Sequence, residues 1–157
     1  MTHAAMTRIR RAGPADRAEL TAMLARCTNQ TRYRRFHGVT DHFPEPYLAG
    51  ALAGDPRHVA LVAYTPAAIV ALASCVTQPD GSGELAILVQ DACQRHGLGS
   101  RLLRRLVEHA DRGGQQILRA SVLAEQSWIR RLLSTYGSCE TEFSGAVMDI
   151  TLYRKDT

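Results

Sequence analysis

The 157-residue sequence predicts an α/β (α+β) fold with strands and helices interspersed along the chain. Three observations predict it. The apolar run Leu85–Val89 has the length of a buried strand and leads through a Gly-containing turn into a helix. The β-type runs Val59–Tyr64 and Ala68–Thr77 are joined by Thr65-Pro66. Helical spacing of apolar residues occupies the segments between such runs.

Each element has a local reason. Thr7–Arg10 reads as a short first strand. Ala15–Cys27 reads as a helix, with Pro14 near its first turn and Asp16 and Glu19 early, where the dipole favours acids. Its Leu20, Met23, Leu24 and Cys27 share one face. Arg32–Phe36 reads as an amphipathic segment over the core, and Pro46–Ala53 as a short helix ended by Gly54. The two β runs follow, then the loop Pro79–Gly83 and the apolar strand. Leu98, Leu102, Leu103, Leu106 and Val107 repeat at helical spacing until Gly113-Gly114 stops the helix. Ile117–Leu123 is a strand and Ser127–Thr135 a helix that ends at Gly137. Thr141–Phe143 and Ala146–Tyr153 close as a hairpin around Ser144-Gly145. Residues 1–6 read as a flexible leader and 7–157 as a single domain, a length that can bury a substantial core.

A strand, a Gly turn and a helix N-terminus in that order make an anion site. The first-turn N–H groups lack helical partners, and the dipole is positive there. Gly97 and Gly99 are expected to leave room for a phosphate. The turn is not a P-loop, because it lacks the Gly-Lys-Ser/Thr ending. It is not the dinucleotide fingerprint either, since Gln94 stands where the first glycine would be.

Gln94-x-x-Gly97-x-Gly99 after an apolar strand resembles the pyrophosphate loop of the GCN5-related N-acetyltransferase (GNAT) superfamily. The order of elements over almost the whole chain is similar too. Thr28-x-x-Thr31-x-Tyr33-x-Arg35-Phe36 and Val122-Leu123-Ala124-Glu125-Gln126 resemble segments of a bacterial subgroup that includes Pat-type protein lysine acetyltransferases. The resemblance implies the GNAT fold: a central mixed, mostly antiparallel sheet of about six to seven strands flanked by about four helices. It implies an enzyme that moves acetyl from acetyl-CoA to a primary amine in a ternary complex. The cofactor-binding residues it implies are Gln94, Arg95, His96, Gly97, Leu98, Gly99 and Ser100 at the diphosphate. Leu88 and Val89 would serve the pantetheine arm and thioester, Val89 through an oxyanion-binding amide. Gln126 stands where an arm-binding asparagine is usual. Glu84 takes the position of the general base; a bare reading of Glu84 is a solvated acid at a loop–strand junction.

Besides Gln126, two departures from the family pattern and one rival nucleophile stand out. Leu133 occupies the position of the usual general-acid tyrosine, with Tyr136 read as a packing residue. Ser138-Cys139 follows Gly137 where an aromatic is common. Cys93, beside the loop, is the rival nucleophile for a covalent mechanism. The acceptor is left open between a protein lysine and a small-molecule amine. Glu45, Asp41, Asp55 and Glu125 are candidate acids for its cleft, His37, His42 and His58 candidate acid–base groups, and Trp128 a packing or cleft residue. A non-catalytic acyl-CoA-binding regulatory module is the alternative class.

Composition bounds the rest. The net charge of +4 is carried by arginine, with Lys155 the only lysine, and suits an anionic coenzyme. Arg32, Tyr33, Arg34, Arg35 and Phe36 come closest to a nucleic-acid stripe, and no nucleic-acid partner is expected. No run approaches a membrane span and no secretory signal is read, so a cytoplasmic location without membrane contact is expected. The four cysteines and six histidines show no metal-ligand spacing, and no metal is expected. Association as a homodimer stays open.

Overall fold

Alternating side chains sort each strand into two faces, and where both faces are apolar the strand must lie between helices. His58–Tyr64 and Ile69–Thr77 are such strands and lie inside the sheet, each paired on both sides. The computed structural model describes residues 7–38 and 40–154. The expected leader, residues 1–6, lies outside the described residues. In chain order the elements are β1 (Arg8–Arg11), α1 (Arg17–Arg26), α2 (Asn29–Phe36), α3 (Glu45–Leu52), β2 (His58–Tyr64), β3 (Ile69–Thr77), β4 (Gly83–Val89), α4 (Leu98–Arg112), β5 (Ile117–Leu123), α5 (Ser127–Leu133), β6 (Gly137–Ser144) and β7 (Val147–Arg154). Short 3-10 turns at Pro14–Asp16 and Asp91–Cys93 precede α1 and α4.

The seven strands run β1-β2-β3-β4-β5-β7-β6 in one sheet. Only β4 and β5 pair parallel; the other neighbours are antiparallel. This is the mixed, mostly antiparallel sheet expected. Two expectations change in detail. Segment 28–36 is a helix of its own, making five helices. Gly137 does not merely end α5 but opens β6, which is longer than the predicted Thr141–Phe143.

Apolar residues fill both sides of the sheet. On one side α4 and α5 bury Leu102, Leu103, Leu106, Ile129 and Leu133 against Leu85, Leu118 and Ile150. On the other, α1 and α3 bury Leu20, Met23, Leu48 and Leu52 against Val62, Leu72 and Leu88. Each such side chain contributes about 1.5–3 kcal/mol when fully buried. The second layer stops short of β5, β7 and β6. There Ser121, Glu140, Glu142 and Asp149 are exposed on the face that α1 and α3 cover elsewhere.

The sheet is split in the middle. β4 and β5 pair only over Gly83–Leu85 and Leu118–Ala120, although both strands continue for several residues. Beyond Leu85 and Ala120 they part, and α4 begins just past the end of β4.

Candidate active site

A cleft of about 540 Å³ opens at the split. Its walls include Thr31 and Arg34 from α2, Ile87, Leu88 and Val89 from β4, and Gln94, Arg95, Gly97, Gly99 and Ser100 from the loop and α4. Glu125, Gln126 and Trp128 close the far side.

The β4 wall presents backbone groups. The Gln90 N–H donates to the Val70 carbonyl across β3 (2.9 Å). In an antiparallel pair the backbone groups of successive residues point to opposite sides. The amides of Val89 and Ile87 therefore face the split, where β5 no longer takes them. The Val89 carbonyl is already held there by the Gln94 side chain, whose Nε2 donates to it (2.9 Å). The sequence singled out Val89 for this and missed Ile87. The backbone of Leu88 faces β3, and its side chain is buried on the α1–α3 side.

The loop is fixed by a polar knot. Gln94 Nε2 also donates to Thr31 Oγ1 (3.0 Å), which donates to Asp91 Oδ2 (2.8 Å). Asp91 further accepts from the backbone N–H (2.9 Å) and hydroxyl (2.7 Å) of Thr28, the N-cap of α2. Burial pushes the Asp91 carboxyl up, but the donors from Thr28 and Thr31 outweigh it and hold it below the ordinary value. The two threonines of the Thr-x-x-Thr segment thus tie α2 to the loop. Asp91 was not foreseen.

The loop then takes left-handed conformations at Arg95 (φ 65°) and Gly97 (φ 79°). Gly97 caps α4 with no side chain, which leaves the first N–H groups of a 15-residue helix open at the cleft. Gly99 has a different reason than expected. A Cβ there would come within 2.8 Å of the Trp128 ring, so its missing side chain makes room for Trp128. Arg95 and Ser100 line the cleft; Leu98 is buried in the core; His96 does not line the cleft. Gln126 lines it while its Oε1 accepts from the Leu123 N–H (3.3 Å).

The sequence matches the family model described as "Acetyltransferase (GNAT) family" over residues 20–134. The chain belongs to the GNAT acetyltransferase family. Its cosubstrate class is accordingly acetyl-CoA, and its reaction class acetyl-CoA-dependent N-acetyl transfer. Solved structures share the fold. The GNAT domain of S. lividans PAT is 21% identical with a TM-score of 0.79, over 94% of this chain and 90% of that one. The structure of yncA, a putative acetyltransferase from Salmonella typhimurium with its cofactor acetyl-CoA, is 20% identical with a TM-score of 0.69, over 96% and 95%. The paiA N-acetyltransferase from Thermoplasma acidophilum, in complex with coenzyme A, is 14% identical with a TM-score of 0.66, over 94% and 98%. No curated protein matches the sequence.

The remaining candidates of this GNAT chain can now be placed. Glu84 is exposed near the start of β4, in register with Val76 of β3 and Arg119 of β5. By alternation it shares the sheet face of Leu88, about 13 Å further along the strand at ~3.3 Å per residue. It does not line the cleft. Cys93 is buried in the core, and that burial raises its thiol pKa, which opposes nucleophilic use. Leu133 is fully buried, and Tyr136 packs against the same core with its pKa raised by burial.

Of the four candidate acids, Glu45 pairs with Arg17, Asp41 with His42, and Asp55 accepts from the Arg57 N–H. Glu125 alone among them lines the cleft. His37 ends α2 in a left-handed conformation, and His58 is buried beside the Tyr47 ring at 5.1 Å. Among the described residues no cluster of His, Cys, Asp and Glu could hold a metal ion, and no helix is long and apolar enough to cross a membrane.

Proposed function

We propose that this chain transfers acetyl from acetyl-CoA directly to a primary amine, and that the amine is a lysine side chain of a protein. The observation that carries the transfer reading is the split beside the α4 N-terminus. It supplies unpaired strand amides and open helix N–H groups in one cleft. The residues fit the coenzyme. The N–H groups of Leu98, Gly99 and Ser100, with Arg95 nearby, suit the diphosphate. The amides of Ile87 and Val89, the Trp128 ring and the Gln126 amide suit an arm that is polar at intervals and apolar between. The cosubstrate supplies the activated acetyl thioester.

In this reading the chain orients, polarises and moves protons. The Val89 N–H donates to the thioester carbonyl oxygen, where negative charge grows during transfer. The amine nitrogen bonds to the carbonyl carbon as the carbon–sulfur bond breaks, and sulfur leaves with the electron pair and takes up the second proton that the nitrogen sheds on becoming an amide. Glu84 takes up the proton the ammonium loses, through water, since it lies outside the cleft lining. The buried Cys93 supports direct transfer over a covalent acetyl-enzyme.

Two observations support a protein lysine. The Thr28–Phe36 segment resembles the Pat-type subgroup, and S. lividans PAT is among the fold neighbours. The uncovered sheet face with Glu140, Glu142 and Asp149 is a shallow acidic shelf, open enough for a basic polypeptide.

Calorimetric titration with acetyl-CoA followed by turnover of Glu84→Gln tests the proposal. The expected result is saturable binding by both proteins and a turnover about 10²-fold lower in the variant. A folded wild-type protein that ignores millimolar acetyl-CoA would overturn it. Unchanged turnover in Glu84→Gln would remove Glu84 from the mechanism, and binding without turnover of any lysine peptide would favour a regulatory module.

A further inference from the structure

The passage between the split strands is bridged by an ion pair. Arg34 Nε of α2 lies 2.7 Å from Glu125 Oε1, which follows β5 by two residues. Beneath it, Arg34, Arg35 and Ala86 meet Ala120, Val122 and Gln126 around a gap of about 30 Å³, room for a water or a methylene group. Ala86 lies on the α1–α3 face, whereas Ala120 and Val122 lie on the α4–α5 face, so the gap runs through the sheet. An amine approaching from the open face reaches the cleft beside this pair.

Among the described residues that line the cleft, Glu125 is the only carboxylate. The bond to Arg34 is single and partly exposed, with side-chain exposures of 28% for Arg34 and 50% for Glu125. Exposed pairs of this kind contribute little, because solvent screens them and two long side chains must be held in place. By contrast, Arg10 holds Asp16 with two parallel bonds of 2.8 Å. A cation that Glu125 can exchange at little cost is a cation in a substrate's place. Apolar walls at Ala86, Ala120 and Val122 suit the methylene stem of an alkylammonium.

We propose that Glu125 receives the ammonium group of the acceptor amine, and that Arg34 occupies this carboxylate until the acceptor arrives. The inference rests on the acetyl-CoA reading above and adds the group that selects a cationic acceptor. It gives Glu125 the binding of the ammonium and leaves the proton to Glu84.

The test uses two thioether analogues of coenzyme A. Each carries a four-carbon tail on sulfur, one ending in ammonium and the other in methyl. They are titrated against the full chain, Glu125→Gln and Arg34→Gln, with thermal unfolding to show that each is folded. The wild type should prefer the ammonium tail about tenfold, the scale of one charge-assisted hydrogen bond. Glu125→Gln should erase that preference and leave the methyl-tail affinity unchanged. Arg34→Gln should keep or enlarge it. Equal affinity of the wild type for the two tails overturns the inference but leaves the coenzyme reading standing. So does a preference that survives Glu125→Gln or disappears in Arg34→Gln. Failure of the folded wild type to bind both analogues and acetyl-CoA overturns the coenzyme reading itself.

Discussion

Gly99 and Trp128 show how one missing methyl group shapes the cleft. The ring of Trp128 lies where a Cβ on residue 99 would be, with Ile87 Cδ1 at 3.4 Å from the same point. An alanine there cannot be met by backbone adjustment alone, because residue 99 is in the first turn of α4 and its N–H is needed at the cleft. The ring must tilt instead. Gly99→Ala is expected to destabilise by about 1–3 kcal/mol, as overpacking does, and to weaken acetyl-CoA binding. Gly99→Ala combined with Trp128→Leu should recover the stability, because the shorter side chain gives up the space. Thermal unfolding of the three proteins decides it: an unperturbed single variant would mean that the ring does not depend on the glycine. Sequence reading found both residues and linked neither to the other. They are 29 positions apart, and nothing in either segment announces the contact.

At the scale of elements, legibility followed the hydrophobic pattern. β5 was read as Ile117–Leu123, the observed bounds, because an apolar β-type run sits between Gly113-Gly114 and the start of α5. The Gln94–Gly99 loop was legible because glycines beside a helix start have few other uses. α2 is not legible as a helix, because Tyr33 and Phe36 are the only apolar residues in Asn29–Phe36, too few to show a period, and Thr31 is its buried residue. Its anchor is polar and distant: Thr28 and Thr31 reach Asp91 across 63 and 60 positions, and Arg34 reaches Glu125 across 91. β6 was cut short because Ser138–Glu142 is polar and lies at the sheet edge, where only pairing with β7 defines it.

The polar knot under α2 predicts an acid response. The carboxyl of Asp91 is lower in the folded protein than in the unfolded chain, and so is that of Asp16, held by the Arg10 side chain. The unfolded chain then binds more protons as pH falls below the ordinary carboxylate value of about 3.9. Their stabilisation is complete above that value and is lost as pH falls through the folded pKa. His58 acts earlier. Burial lowers its pKa, so the unfolded chain protonates first, and stability begins to fall below the ordinary histidine value of about 6.5. Thermal unfolding from pH 8 to pH 2 should therefore show two descending limbs. Thr31→Val should lower stability by about 1–2 kcal/mol at neutral pH, since it removes the hydrogen bonds of the Thr31 hydroxyl to Asp91 and from Gln94, and should flatten only the lower limb. An unchanged lower limb would show that the knot does not set the Asp91 carboxyl.

At the scale of the whole molecule, the split between β4 and β5 decides where chemistry can happen. A sheet with helices on both sides separates two half-spaces. The α4–α5 side offers the coenzyme loop, and the α1–α3 side offers the open acidic shelf. The two communicate where the parallel pairing stops at Leu85 and Ala120. Small residues keep that passage open, and Ala86 is the one that is partly exposed and can be enlarged without disturbing a core. Ala86→Leu adds three carbons into a gap of about 30 Å³. If the acceptor crosses there, acetyl-CoA affinity should stay within about twofold, because the groups proposed to bind it are on the loop and strand backbone. Acceptor turnover should fall by about tenfold or more, the cost in rate of misplacing a reacting group. Thr151→Leu, within the acidic shelf but two strands away from β4, should leave acetyl-CoA affinity unchanged and lower acceptor turnover less than Ala86→Leu does. Normal turnover in Ala86→Leu would place the acceptor's route along the cleft from its outer mouth, with the split serving the coenzyme alone. A parallel loss in Thr151→Leu would instead mean that the whole acidic shelf is part of the acceptor's footprint.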